Sequence, residues 1–454
     1  MTQLETYIVE HEQRFLDDLK VWLRIPSIST LPERAEDVLR AAGYAADQMK
    51  HIGLENVAVL QTERHPLVYG EWLKASGKPT LLIYGHYDVQ PVDPVELWKT
   101  PPFEPSVRDG NIYARGAADD KGQVMVIFKA LEALMKVNGA LPINVKVLLE
   151  GEEEAGGESI GHYVKTYPER LACNAAFICD THMPGKDIPA LMYGLRGIIA
   201  TEVEVQGAKG DLHSGSYGGV APNPLHALAI IISRLKDAEG HIHIPGLYDK
   251  LHKPTVAEKN FWHHDPLHLN EALLEEMGVT QFSGEAEYPP LERIWARPTL
   301  EVHGIVGGFV SEGFKTVIPA IAKAKISLRL PPELKSAEAY PLFEKAVKEA
   351  APAGVRVTVH NFHGGEGVLV SPDTPPMKAA AAALEEVYGK PPVFLREGGS
   401  IPIAALFDEV LHAPVVLMGF GLPDDNLHAP NEKYSLDQFY KGIRTVASFL
   451  ERMA

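Results

Sequence analysis

The chain has 454 residues, of which 45% are hydrophobic and 23% charged, and its formal net charge at pH 7 is -17. This length exceeds what one simple hydrophobic core usually holds, so we expect two domains. No apolar run is long enough to span a membrane, and an acidic chain without a stripe of Lys or Arg is a poor partner for nucleic acid.

The beginning of the chain and its cysteines bear on the cellular location. The first residues, MTQLETYIVEHEQ, are mixed and acidic and lack the apolar stretch of a secretory signal. The two cysteines, Cys173 and Cys179, flank a single apolar run, which does not suggest a disulfide framework. We therefore expect a protein of the reducing cytoplasm.

The first 185 residues of the chain alternate between apolar runs and helical patterns. The pattern between Lys121 and Val137 has apolar residues at the helical interval, so it predicts an amphipathic helix. The apolar runs are continuous, as in strands buried on both faces. These strands are predicted at Thr80–Tyr84, Ile143–Leu149 and Ala175–Cys179. The order predicts an α/β domain with a mostly parallel mixed sheet flanked by helices.

The middle of the chain has a different pattern, in which strands alternate between apolar and polar residues. Its order is strand, helix, two strands, helix and strand, which predicts an inserted α+β (ferredoxin-like) domain with two helices on one face of an antiparallel sheet. The predicted elements are Ala200–Gln206, Asn223–Leu235, Thr299–Ile305, Lys323–Leu330, Ser336–Ala350 and Val355–His360. The segment Lys236–Arg297 lacks clear periodicity and is predicted to be an irregular insertion.

After about Pro372 the first pattern returns. A helix is predicted over Met377–Tyr388, a strand over Val415–Gly419 and a second helix over Leu436–Arg452. We therefore expect one α/β domain formed by residues 1–196 and 369–454, interrupted by an inserted domain of residues 197–368.

Ionisable residues are concentrated in five segments, most of which directly follow an apolar run. The ends of strands deliver side chains into the ligand crevice of an open α/β sheet, so we expect these residues to converge. Two imidazoles and several carboxylates suit a pair of divalent metal ions, with zinc as the leading candidate. The residues are His86 in GHYDVQP, Asp119 in RGAADDKG, Glu153 and Glu154 in GEEEAGG, Asp180 in CDTH and His428 in LHAPNE.

Each segment taken alone has a simpler interpretation. His86 could be a hydrogen-bonded core histidine, Asp119 could cap the helix that begins near Lys121, and the Glu153 region could be a solvated helix start. Asp180 could cap a turn, and His428 alone is uninformative. These interpretations do not explain why every one of the five segments falls at the exit of a core strand, so the metal hypothesis is preferred.

The motifs GHYDVQP, DDKG, GEEEAGG, DLHSG and REGGSIP together resemble a co-catalytic zinc peptidase and deacylase family over essentially the whole chain. The family includes carnosinases, aminoacylases, carboxypeptidase G, acetylornithine deacetylase and succinyl-diaminopimelate desuccinylase. The chain is most similar to the cytosolic nonspecific dipeptidase (carnosinase-like) branch. The resemblance implies a metal-dependent dipeptidase that cleaves dipeptides or very short peptides.

The resemblance also implies roles for the ionisable residues. Asp119 would bridge two zinc ions per subunit, although manganese or cobalt is possible. His86 and Asp180 would complete one metal site, and Glu154 and His428 the other. Glu153 would be the general base, identified within the run of three glutamates by the Ala155-Gly156 that follows. Asp88 would orient His86.

In the family the inserted domain is a lid that also forms a homodimer. His213 in GDLHSGSYGG would reach the other subunit's active site and stabilise the oxyanion, and Arg329 would bind the C-terminal carboxylate of the substrate. Other residues of the substrate site would be Thr316, His363, Gly399 and Ser400. Five other histidines match no ligand position of the family and are expected to be structural or to lie at the surface: His182, His241, His243, His263 and His264.

Two other functions remain open at this stage. An N-acyl-amino-acid deacylase (aminoacylase or desuccinylase-like) would use the same metal core but would not require a free α-amino group in the substrate. A zinc-binding scaffold without activity would have no need of the general base at Glu153.

Overall fold

The computed structural model describes residues 2–399 and 401–454, which fall into two compact units. The first unit runs to Tyr193 and includes Val370–Leu395 and Leu406–Ala454, and the second comprises Gly194–Leu369 and Arg396–Ala405. The last segment was expected in the α/β domain. It groups with the second unit because Arg196 and Glu258 of that unit hold its backbone and its Arg396 side chain by hydrogen bonds.

The secondary structure of the described residues alternates between helices and strands through most of the chain. The strands are β1 Glu55–Leu60, β2 Leu67–Trp72, β3 Thr80–His86, β4 Ser106–Arg108, β5 Asn111–Tyr113, β6 Asn144–Glu150, β7 Ala175–Ile178, β8 Ala190–Leu195, β9 Gly197–Gln206, β10 Leu212–His213, β11 Thr299–Gly307, β12 Val317–Ile318, β13 Ile321–Leu330, β14 Arg356–Gly365, β15 Val368–Leu369, β16 Val393–Glu397, β17 Val415–Leu417 and β18 Lys433–Ser435.

The helices are α1 Gln3–Leu23, α2 Ala35–Ile52, α3 Lys121–Asn138, α4 Glu158–Thr166, α5 Pro168–Leu171, α6 Ser214–Tyr217, α7 Pro224–Leu235, α8 Val256–His264, α9 Leu269–Met277, α10 Pro290–Trp295, α11 Ser336–Ala350, α12 Pro375–Tyr388, α13 Pro402–Leu406 and α14 Leu436–Arg452. A helix with the length and apolar character needed to cross a bilayer is not found in the described part of the chain.

The first unit is built on a mixed sheet. Its strand order is β1-β2-β6-β3-β7-β17-β8, in which β6, β3, β7 and β17 are mutually parallel and the outer pairs are antiparallel. Helix α3 is buried along most of its length and packs against α1, α2 and α14. The parallel centre flanked by helices confirms the predicted α/β class, and β3 extends two residues beyond its predicted end to include His86.

The second unit contains an antiparallel sheet with the strand order β11-β13-β9-β14. Burial alternates along β9, so that Ile199, Val203 and Val205 face a core shared with α7 and α11. This arrangement confirms the predicted α+β class of the inserted domain. The prediction of an irregular segment over Lys236–Arg297 is wrong, since α8, α9 and α10 lie within it.

The helices of this segment are short, which explains why a search for sustained periodicity misses them. Helix α8 has nine residues and begins with a capping box between Thr255 and Glu258, and α9 also has nine residues. Helix α10 has six residues and begins with Pro290 at its first position. Local capping signals therefore carried more information than hydrophobic periodicity in this part of the chain.

Candidate metal centre

Three of the candidate segments lie at the carboxyl ends of neighbouring parallel strands. His86 is the last residue of β3, Glu153 and Glu154 follow β6, and Asp180 follows β7. Because β6, β3 and β7 are adjacent and parallel, their carboxyl ends meet at one edge of the sheet. Asp119 and His428 differ from the expectation of a strand exit, since Asp119 lies two residues before the first residue of α3 and His428 lies in the loop between β17 and β18.

The five predicted metal ligands form two groups that share Asp119. In each group the potential ligand atoms all lie within 4.8 Å of one another. One group consists of His86, Asp119 and Asp180, and the other of Asp119, Glu154 and His428. The fold therefore brings His428 next to Asp119 and Glu154, although it is far from them in the sequence.

The two oxygens of Asp119 face different groups. Its Oδ1 lies 3.0 Å from Nε2 of His86, and its Oδ2 lies 2.9 Å from Nε2 of His428. His86 Nε2 is also 3.7 Å from Oδ2 of Asp180, and His428 Nε2 is 3.5 Å from Oε2 of Glu154. A carboxylate with one oxygen on each of two ligand groups is suited to bridge two cations.

Asp88 is buried and joins His86 to the glutamate pair. Its carboxylate accepts hydrogen bonds from the backbone N–H groups of Glu153 and Glu154, at 3.2 and 3.1 Å. Its Oδ1 also lies 3.3 Å from Nδ1 of His86, and its carbonyl oxygen lies 3.2 Å from the same nitrogen. An acceptor at Nδ1 leaves Nε2 of the ring to bind a ligand, which is the usual arrangement behind a metal-ligating histidine.

Glu153 and Glu154 are adjacent but occupy different positions. Glu154 belongs to the second ligand group, and its Oε2 also accepts a hydrogen bond of 2.6 Å from Nε2 of Gln90. Among the described residues, Glu153 belongs to neither of these two groups. Burial raises the pKa of its carboxyl group, His86 acts to lower this pKa, and the charge of Asp119 acts to raise it. One carboxylate is thus available as a ligand while its neighbour remains available to exchange protons.

The carboxylates at this edge of the sheet are buried and mutually repulsive. Burial raises the pKa of Glu154 to about 8, and the charge of Asp119 adds to the effect. Burial also raises the pKa of Asp180 well above its usual range, with Asp120 and Asp119 acting in the same direction. The pKa of Glu153 is raised by burial as well. Such a concentration of negative charge is relieved by divalent cations.

The donor set fits a pair of divalent metal ions. Each group offers one imidazole nitrogen and carboxylate oxygens from two residues, which is chemistry that Zn²⁺, Mn²⁺ and Co²⁺ accept. The groups also have the shared carboxylate and the supporting Asp88 that a stable centre requires.

Three buried carboxylates that position this centre were not identified from the sequence. Glu432 accepts hydrogen bonds from the backbone N–H groups of Gly116, Ala118 and Asp119, and it pairs with the buried Arg115 at 2.7 Å. It therefore holds the loop that carries Asp119. The signal was present in the sequence, because Glu432 belongs to the same LHAPNE segment as His428.

The other two act on the neighbouring segments. Asp120 accepts a hydrogen bond of 3.1 Å from the backbone N–H of His86. Glu152 is buried rather than solvated, and its carboxylate accepts hydrogen bonds from the backbone N–H groups of His65 and Ser159. Both residues stand beside a predicted ligand or base in the sequence, but their roles depend on tertiary contacts.

In the second unit, the predicted residues His213 and Thr316 lie side by side. His213 of β10 pairs with Val317 of β12, and the N–H of Ser214 donates a 3.0 Å hydrogen bond to the carbonyl of Thr316. The imidazole is exposed, and its Nδ1 accepts a hydrogen bond of 3.0 Å from the N–H of Gly215. In the neutral ring the proton is therefore on Nε2, which is free to act as a donor.

Arg329 and His363 lie on one face of the second sheet. Arg329 is opposite Ile198 of β9, and His363 is opposite Ala200, two residues along the same strand. Ile198 and Ala200 point away from the core that contains Ile199. The register therefore places both predicted substrate residues on the face opposite α7 and α11.

The REGGSIP segment is held by a buried arginine that is not apparent as a functional residue from the sequence. Arg196 donates from Nε to the carbonyl of Gly398 at 2.9 Å, and its backbone N–H donates to the carbonyl of Gly399 at 3.1 Å. Glu397 accepts from the N–H groups of Gly398 and Gly399. Burial lowers the pKa of Arg329 from its usual value, and the charge of Glu397 opposes that shift. Ser400 lies outside the described residues.

Comparisons with known proteins agree with this geometry. The residue pattern of peptidase family M20/M25/M40 matches residues 82–452. A Cys-Gly metallodipeptidase of Schizosaccharomyces pombe is 32% identical, over 100% of this chain and 98% of the relative. The human Beta-Ala-His dipeptidase is 31% identical, over 99% of this chain and 92% of the relative.

A solved structure extends the likeness to three dimensions. The M20 family metallo-carboxypeptidase Sso-CP2 of Sulfolobus solfataricus superposes with a TM-score of 0.87 at 32% identity, over 97% of this chain and 99% of that one. The expected family and its carnosinase-like branch are thereby confirmed. The chain belongs to peptidase family M20/M25/M40.

Proposed function

We propose that this protein is a metal-dependent dipeptidase that hydrolyses the peptide bond of dipeptides or very short peptides. The observation that carries the proposal is Asp119, whose two oxygens face two separate groups of metal-ligand residues. Full-length relatives named as a Cys-Gly metallodipeptidase and a Beta-Ala-His dipeptidase support the same substrate class.

The centre would hold two zinc ions per subunit, with manganese or cobalt as alternatives. His86 and Asp180 would bind one ion, Glu154 and His428 the other, and Asp119 both. Divalent cations at such a centre supply Lewis acidity, which polarises a carbonyl and makes a water molecule more acidic. Asp88 would keep the His86 ring oriented for binding through Nε2.

Glu153 would carry the protons of the reaction. A general base takes a proton from the attacking water, and the same group can then return it to the leaving amine. Its position outside both ligand groups and its raised pKa, caused by burial, support this role. The carboxylate can therefore serve as acceptor in one step and donor in the next.

The second unit would bind the substrate. Arg329 would hold the C-terminal carboxylate, because a guanidinium offers two parallel donors to it. Thr316, His363, Gly399 and Ser400 would line the same site. Arg196 would fix the backbone of Gly398 and Gly399 for this purpose.

We also propose a homodimer in which His213 acts across subunits. Its Nδ1 is occupied by the N–H of Gly215, so Nε2 carries the proton in the neutral ring and can donate to an oxyanion. The exposed position of the ring on β10 supports access to a second chain.

A second candidate function is a carboxypeptidase, which is favoured by the likeness to the Sulfolobus enzyme. The two activities differ at the amino end of the substrate. A dipeptidase requires a free α-amino group next to the cleaved bond, whereas a carboxypeptidase accepts an N-blocked peptide. An N-acyl-amino-acid deacylase would instead cleave the amide bond between an acyl group and a single amino acid.

A substrate panel tests the proposal directly. We expect the zinc-loaded enzyme to hydrolyse free dipeptides with a kcat/KM at least tenfold higher than that for the same dipeptides carrying an N-terminal benzyloxycarbonyl group or for N-acetyl amino acids. The amino acids released are measured by chromatography. A preference for blocked dipeptides would establish the carboxypeptidase instead, and a preference for N-acetyl amino acids would establish the deacylase.

The role of Arg329 gives a second test. Amidation of the C-terminus of a dipeptide should raise KM or abolish turnover in the wild type, because the guanidinium loses its carboxylate partner. In Arg329→Ala most of this penalty should vanish, while Arg356→Ala, at the opposite end of the same sheet, should retain it. Equal discrimination between acid and amide in Arg329→Ala and wild type would exclude the role.

A further inference from the structure

A separate set of charged side chains lies in the second unit, around His241. It consists of His241, Glu285 and Glu287, whose potential ligand atoms lie within 4.8 Å of one another, together with Asp237 and His243. We call these five residues the His241 cluster. From the sequence, both histidines are expected to be structural or to lie at the surface, and neither belongs to the two groups that share Asp119.

Local backbone geometry directs the side chains of this cluster. Residues 236–242 form a short turn with an antiparallel bridge between Lys236 and Ile242, and the N–H of Asp237 donates to the carbonyl of His241 at 3.1 Å. Ile242 is buried in the core of the second unit. Because side chains alternate along an extended segment, the imidazoles of His241 and His243 point to the side opposite that core.

The turn is packed closely against the loop that carries the two glutamates. A Cβ atom on Gly240 would lie 2.5 Å from Cα of Gly284, so the two backbones approach as closely as glycine permits. Gly284 directly precedes Glu285. The glutamates are therefore positioned next to His241 by backbone packing, and not only by contacts between flexible side chains.

The His241 ring lies between two carboxylates. Its Nε2 is 2.8 Å from Oε1 of Glu287, and its Nδ1 is 3.3 Å from Oδ2 of Asp237, which also contacts Nε2 of His243 at 2.8 Å. A neutral imidazole has one N–H and can donate to only one carboxylate. The arrangement therefore requires a positive charge, either a second proton on the ring or a metal ion.

The remaining carboxylate, Glu285, completes a ligand group. It is buried and accepts hydrogen bonds from Nε and Nη2 of Arg297, the latter at 2.7 Å. These bonds fix its orientation while further lone pairs remain on its oxygens. His241, Glu285 and Glu287 thus offer one nitrogen and two carboxylate oxygens from a pre-positioned set.

We propose that the His241 cluster is a structural binding site for a transition-metal dication such as Zn²⁺, formed by Nε2 of His241 and the carboxylates of Glu285 and Glu287. Asp237 holds the opposite ring nitrogen, as carboxylates do behind metal-ligating histidines. The bound ion joins the turn after α7 to the loop before α10. It is independent of the centre around Asp119.

Zinc content by elemental analysis tests this site. The holoenzyme and its variants are equilibrated at one buffered free Zn²⁺ concentration, and the difference in zinc per chain is measured. We expect His241→Asn and Glu287→Gln each to hold one equivalent less than the wild type. His264→Asn is the matched control, because His264 is an exposed histidine at the end of α8 in the same segment, and it should hold the wild-type amount.

Four further measurements separate loss of this ion from other effects of the substitutions. Circular dichroism and dipeptide hydrolysis should be the same in all variants, which separates loss of this ion from unfolding or from damage to the catalytic centre. Excess Zn²⁺ should raise the Tm of the wild type more than that of His241→Asn. In crystals grown with Zn²⁺, anomalous scattering at the zinc edge should give a peak beside Nε2 of His241.

The opposite results overturn the proposal. Equal zinc content in wild type, His241→Asn and Glu287→Gln would mean that the ring is held by protonation alone, in line with its pKa, which the Glu287 hydrogen bond raises. A crystal saturated with Zn²⁺ without an anomalous peak at His241 would lead to the same conclusion.

Discussion

Glu153→Gln is expected to lower kcat by about 10²–10⁴-fold while the protein retains its bound metal. An amide cannot accept the proton that the attacking water must lose, but the change leaves both ligand groups intact. Steady-state kinetics and elemental analysis of the same preparation measure the two quantities. The predicted loss is among the largest that a single substitution in this chain should cause.

Glu154→Gln is the matched control, because it makes the same chemical change one residue later. Glu154 belongs to the ligand group with Asp119 and His428, so its replacement should weaken metal binding itself. The activity of this variant should recover in part when the metal concentration is raised, whereas that of Glu153→Gln should not. If Glu153→Gln loses metal and Glu154→Gln keeps it, the assignment of the pair is reversed.

His213→Ala should reduce kcat by about 10²–10³-fold with a much smaller change in KM, as for other groups that stabilise an oxyanion. The ring contributes only when negative charge develops on the carbonyl oxygen, so substrate binding is largely unaffected. The hydrogen bond from Gly215 to Nδ1 determines which nitrogen donates. Steady-state kinetics on the preferred dipeptide measure both constants.

Hybrid dimers decide whether His213 acts within its own subunit or across the dimer. A mixture of His213→Ala and Glu153→Gln subunits forms hybrids in which one site combines an intact Glu153 with an intact His213 from the other chain. Random exchange should restore activity to at most about a quarter of wild type, because half of the dimers are hybrids and each has one complete site. Each variant alone remains inactive and serves as the control.

Confirmation of subunit exchange by mass spectrometry is essential to this experiment. Absence of recovery in a mixture shown to contain hybrids would mean that His213 acts within its own subunit or not in catalysis. Recovery well above a quarter would also contradict the scheme, since the Glu153→Gln site of each hybrid cannot contribute.

Much of the candidate centre was predictable from local sequence. His86 and Asp180 lie at the end of a strand or just beyond one, at strands recognisable from continuous apolar runs. The two domain classes were equally predictable, because burial on both faces and burial on one face leave different hydrophobic patterns. Short-range sequence patterns were therefore sufficient to predict the fold class and the residue types of the metal centre.

The supporting contacts were not predictable in the same way. Glu432 holds the Asp119 loop through three backbone N–H groups more than 300 residues away in sequence, and Arg196 holds the backbone of Gly398 and Gly399. The His241 cluster likewise depends on close contact between Gly240 and Gly284. No periodicity or spacing encodes such contacts, because each results from the packing of remote segments.

The sequence by itself therefore determined the α/β and α+β classes and the family, and the family resemblance predicted the ligand residues around Asp119 and their division into two groups. Only the tertiary structure decided that each oxygen of Asp119 faces a different ligand group and which buried carboxylates hold the segments that carry the ligands. The physical reason is that hydrophobic patterning is local along the chain, whereas ligand geometry depends on distances between atoms that only the packed fold brings together.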